Sequence, residues 1–62
     1  MSYKVVLWTR VKHQDEWEEH ESVVRTGATL AEAMWFADAQ VLWYASHPEM
    51  FLGVMVEAER ER

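Results

Sequence analysis

Apolar and polar positions alternate from Tyr3 to Lys12. Tyr3, Val5, Leu7, Thr9 and Val11 fall on one face, and Val6 and Trp8 on the other, between Lys4 and Arg10. A period of two carried by β-branched and aromatic residues predicts a strand. Apolar content on both faces near its middle suits a central place in a sheet. His13-Gln14-Asp15 is a polar break that reads as a hairpin turn. Glu16–Thr26 follows as a second strand, with Trp17, Val23 and Val24 as its apolar content. After the break at Thr26-Gly27-Ala28, the run Thr29-Leu30-Ala31-Glu32 fits a capping box. In it the Thr29 hydroxyl accepts from the Glu32 amide, and the Glu32 side chain reaches back to the Thr29 amide. A helix is predicted from Leu30 to about Ser46, ended by His47-Pro48, because the residue before proline disfavours helical angles. Phe51–Glu59 reads as a third strand, with Leu52, Val54, Val56 and Ala58 on one face and Gly53 marking a bulge or a close contact. The last residues, from about Glu59 to Arg62, read as a solvated, frayed tail.

The order strand, strand, helix, strand predicts a single α+β domain over residues 1–62. The first two strands form a hairpin. A right-handed crossover then sets the third strand beside the first, giving a three-stranded antiparallel sheet of order 2-1-3 with the helix packed on one face. The face bearing Val6 and Trp8 has no cover from within the chain.

The helix is apolar on two opposite sides. At about 100° per residue, Leu30, Ala33, Met34, Ala37, Val41, Tyr44 and Ala45 make one stripe, and Trp35, Phe36, Ala39, Leu42 and Trp43 make the other. Glu32, Asp38, Gln40 and Ser46 are the sparse polar residues between them. A surface helix ordinarily has one apolar stripe and a charged back, and three strands can bury only one. Which stripe faces the sheet is left open by the pattern: the first contains small residues that would let two helices approach closely, and the second is bulky enough to fill a core. The surplus stripe predicts an oligomer, most simply a symmetric dimer. Its interface would be drawn from Trp35, Phe36, Ala39, Leu42 and Trp43 together with Val6 and Trp8 on the open sheet face.

Length strengthens that expectation. A chain of 62 residues hides only about 60% of the surface its unfolded form exposes. Such domains are marginal unless something reinforces them, usually disulfides, a metal or a partner subunit. There is no cysteine, which removes disulfides and thiolate metal sites and leaves the partner. The net charge of −5 opposes contact with phosphate backbones, so nucleic acid is not an expected partner. Met1-Ser2-Tyr3-Lys4 lacks the layout of a signal peptide, and no apolar run approaches the roughly 18 residues of a membrane span. The cytoplasm is the expected location, without membrane association.

Candidate chemistry changes the picture little. Asp15, Glu16, Glu18, Glu19 and Glu21 place five carboxylates within seven positions. Charge of that density suits an edge strand that repels strand addition, and it offers an acidic edge to a basic partner protein. His13, Asp15 and His20 lie close in sequence but match no zinc or calcium spacing, so no metal is expected. His47 suits the C-terminal end of the helix, where a cation is favourable. There is no glycine-rich phosphate loop and no nucleophile with a base beside it. Neither a cofactor nor enzymatic activity is expected.

From Gly27 to Ala37 the run Gly-Ala-Thr-Leu-Ala-Glu-Ala-Met-Trp-Phe-Ala resembles the Gly-x-Thr-Leu-x-Glu-Ala-x-x-x-Ala lead-in to the helix of HicB-type antitoxin domains. That resemblance implies a partial ribonuclease H-like fold with strand-strand-helix order, and a regulatory role neutralising a partner protein. In its Trp, Val, Glu and Arg bias the chain also resembles small orphan proteins of actinobacteria and their phages. This second resemblance implies a non-enzymatic accessory protein that binds a host protein. The sequence therefore favours a non-catalytic interaction module that self-associates through the helix, the open sheet face or the edge of the third strand, with an antitoxin-like domain as the alternative.

Overall fold

A computed structural model describes residues 2–60. The strands are β1 (Ser2–His13), β2 (Glu16–Thr26) and β3 (Phe51–Glu59), and the helix α1 (Leu30–Tyr44) lies between β2 and β3. The sheet is antiparallel in the order β2-β1-β3 with α1 packed on one face, so the expected β-β-α-β architecture is the one observed.

The hairpin closes through Gln14 and Asp15 between the paired residues His13 and Glu16. Both turn residues have positive φ, 50° and 68°, the signature of the two-residue turn whose twist matches that of its strands. At the other side of β1 the register slips between Trp8 and Thr9. Trp8 faces Gly53 while Thr9 faces Phe51, leaving Leu52 as the extra residue of a bulge. Gly53 thus marks both a bulge and a close contact: a Cβ there would meet Cε3 of the Trp8 indole at 3.8 Å.

The helix starts as its capping sequence dictates, with the Glu32 amide donating to the Thr29 hydroxyl at 3.2 Å. The reciprocal half is different. The Glu32 carboxylate folds back against Gly27, which has room for it because it lacks a side chain. The helix ends at Tyr44, two residues short of the expected Ser46. Ala45 and His47 donate to Leu42 and Tyr44, three residues back, which tightens the chain as it leaves the helix. Pro48 then opens a single 3₁₀ turn, Pro48–Met50, that the sequence pattern did not indicate. His47 makes no side-chain cap at that turn and is exposed. Glu59 belongs to β3, paired with Ser2 and bridged at 3.3 Å to Arg25, rather than to a tail. Of the expected tail, Arg60 is exposed and residues 61–62 lie outside the described ones.

The core is small. Val5 and Ala33 are fully buried (0% exposed) and Ala37 nearly so, with Tyr3, Phe36, Val54 and Val56 packed round them. These residues come from β1, β3 and α1, so the helix straddles β1 and β3 and only skirts β2. Element lengths explain the shape. Twelve residues of β1 extend about 40 Å at about 3.3 Å each. Fifteen residues of α1 cover only about 22 Å. The β3 partner strand also stops at Thr9. Beyond that point Arg10–His13 and Glu16–Glu19 project as a bare two-stranded ribbon. The result is a thin plate of 44 × 24 × 11 Å with a radius of gyration of 13.2 Å, against about 11 Å expected for a globular chain of this length.

Candidate interaction surface

Periodicity makes the two sides of α1 unlike. Ala33, Ala37, Gln40 and Tyr44 recur every three or four residues and lie towards the sheet, buried or half-buried. The small side chains bring the helix close to Val5. The opposite side carries Trp35, Leu42 and Trp43, which are 75%, 74% and 71% exposed. Ala39 lies between them on the helix surface, half-buried. Leu30, Met34 and Val41 share a stripe with the buried alanines but end on a flank, 48%, 51% and 44% exposed. The hydrophobic residues of α1 are therefore spread right round its circumference, as the sequence pattern indicated, and about half the circumference is in solvent.

The seven residues expected at an interface do not share one surface. Trp35, Ala39, Leu42 and Trp43 are together on the outer side of α1. Phe36 turns inward and packs against the core. Val6 and Trp8 are on the far face of the sheet. Val6 is only 5% exposed although, among the described residues, no element covers that face. It sits on the central strand with Val23 and Met55 on either side and Lys4 and Trp8 before and after it. Trp8 is half-buried, and its indole Nε1 donates to the Glu21 carboxylate at 2.9 Å. Surface covering by neighbours on the same face is invisible to an alternating pattern, which records only which side a residue faces.

Strand alternation also divides the acidic edge. Glu16 and Glu18 stand opposite His13 and Val11, on the face that carries α1. Glu19 and Glu21 stand opposite Arg10 and Trp8, on the other face. Asp15 is in the turn. All five are exposed, and they line β2, the edge strand, without converging on a point. Glu18 lies 4.0 Å from His20. Trp8, Glu19, His20, Glu21 and Leu52 border a shallow groove broadly open to solvent. Among the described residues no three His, Asp or Glu side chains come together as metal ligands, and no helix is long and apolar enough to cross a membrane.

One residue of functional interest to the architecture escaped the sequence pattern. The Arg10 guanidinium donates through Nε to the Glu49 carbonyl at 2.6 Å and lies 4.3 Å from the Trp17 ring centre. It ties the projecting ribbon to the 3₁₀ turn before β3. A lone arginine in an alternating strand carries no signal of such a role.

Comparison with protein-family models, with curated proteins and with solved structures gives no match to this chain.

Proposed function

We propose that this protein is a non-catalytic interaction module that works as a homo-oligomer, joined through the outer side of α1. The observation that carries this reading is the outward cluster of Trp35, Leu42 and Trp43, each more than 70% exposed on one helix. At about 150–250 Å² per large aromatic side chain, the three expose on the order of 500 Å² per chain, near the upper end of the largest patch on a typical monomer, about 300–600 Å². Covering half of that area on each of two copies is worth about 12 kcal/mol at about 25 cal/mol per Å². The cost of lost freedom on association is about 4–15 kcal/mol and a stable interface buries about 1,200–2,000 Å² in total, so this cluster supplies the apolar centre of a contact that must extend beyond it.

The test is sedimentation equilibrium of the wild type beside Trp43→Glu. Trp43 is outside the core, so the variant is expected to fold with unchanged far-ultraviolet circular dichroism and to lose half its assembled mass. A Trp43→Glu protein with the same mass as the wild type would refute this contact.

A further inference from the structure

The two edges of the sheet are unlike. β2 is protected: Glu16, Glu18, Glu19 and Glu21 would stand close to one another if two copies met along it. β3 has no such protection. Its sequence Phe-Leu-Gly-Val-Met-Val-Glu-Ala-Glu holds no proline and no lysine, and its bulge at Leu52 lies near its start, leaving Gly53–Glu59 regular. Its two carboxylates are already engaged within the chain, Glu57 with Lys4 at 3.9 Å and Glu59 with Arg25 at 3.3 Å. One side of β3 is paired with β1, and among the described residues the other side has no strand beside it.

From these features we propose a second contact between copies: β3 pairs antiparallel with β3 of a second copy, joining two sheets into one of six strands. The occupant is argued from self-complementarity. About a dyad through Met55, Val54 meets Val56 of the other copy and Gly53 meets Glu57, so no like charges stand opposite in the regular part of the strand.

The position of α1 supports the same partner. The helix lies over the gap between β1 and β3. With strands about 4.8 Å apart, its axis is about one strand spacing from the proposed dyad. The two helices would then run side by side about 10 Å apart, at the separation of packed helices, about 8–10 Å. A right-handed crossover turns Leu30, Met34 and Val41 towards the free edge of β3, and Phe36 and Glu32 towards β2. The contact of Glu32 with Gly27, just past the end of β2, agrees with that orientation. The half-exposed flank of α1 therefore gains a partner in its own symmetry mate. This contact is independent of the one through Trp35, Leu42 and Trp43, which stays uncovered on top of both helices. Two self-complementary contacts with perpendicular dyads close at four chains.

Amide hydrogen exchange of full-length wild type, read together with native mass spectrometry, tests the pairing. The expected result is four chains, with the outward amides of Val54–Ala58 exchanging about tenfold or more slowly than the outward amides of Glu16–Ser22 on β2. In Trp43→Glu the expectation is two chains with the β3 protection retained. In Val41→Glu, or Met34→Glu should that variant fold better, it is two chains with the protection lost. Wild-type β3 amides exchanging as fast as those of β2 would overturn the β3 pairing, whatever Trp43→Glu does. Protected β3 amides with a Trp43→Glu mass equal to the wild type would support the β3 pairing and remove the helix contact alone.

Discussion

Gln14 and Asp15 sit in left-handed backbone conformations, which cost about 1–2 kcal/mol per residue for side chains other than glycine. Asparagine and glycine satisfy the same turn with less strain. The pair Gln14→Asn and Asp15→Gly is therefore expected to stabilise the protein by about 1 kcal/mol, read as a rise in the urea midpoint with unchanged slope. Thr29 acts in the opposite sense. Its hydroxyl accepts the Glu32 amide, so Thr29→Ala is expected to lower stability by about 1 kcal/mol, measured the same way. These turn and cap residues were legible in the sequence because their chemistry is local. The inward turn of Phe36 and the covering of Val6 were not legible, since each depends on neighbours brought in by the fold.

Element by element, alternation of period two located β1 and β3, whereas β2, whose glutamates leave neither face apolar, was read as a strand because it shows no helical apolar stripe. The helix was found by its cap and its proline stop. Its orientation was not, and the reason is physical: a helix apolar all round has no direction in its pattern. What decides the matter is size. Ala33 and Ala37 allow α1 to approach β1 and β3 closely, whereas the indoles cannot fit in that gap. Ala33 is fully buried, so Ala33→Leu overpacks the helix–sheet junction and is expected to cost about 1–3 kcal/mol in chemical denaturation. The ribbon is a separate case. A two-stranded hairpin alone is marginal in water, and this one is held by Arg10 through the Glu49 carbonyl and the Trp17 ring. Arg10→Ala is expected to cost about 1–2 kcal/mol from these contacts. Amide exchange should quicken in Val11–Glu19 before the rest of the sheet. Uniform quickening along β1 and β3 would show that Arg10 does not act on the ribbon.

At the scale of the whole molecule, the plate 11 Å thick is, among the described residues, a sheet with one helix layer. The fully buried set is little more than Val5 and Ala33, a small core for a chain that must offset the ordering of some sixty residues at about 1–2 kcal/mol each. Trp35, Leu42 and Trp43 on α1, with the free edge of β3, are the surfaces through which further copies would supply the missing burial. Assembly would then add to stability, which would depend on protein concentration, and the acidic side chains along β2 would keep the opposite edge out of it.

Tryptophan emission followed through a dilution series, with the mass measured at each concentration, tests this account most directly. The expected result is an assembled species at high concentration with blue-shifted emission. On dilution the mass should fall and the emission move to the red together, as Trp35 and Trp43 enter water. A single-chain mass at every concentration, with emission that does not change, would contradict it.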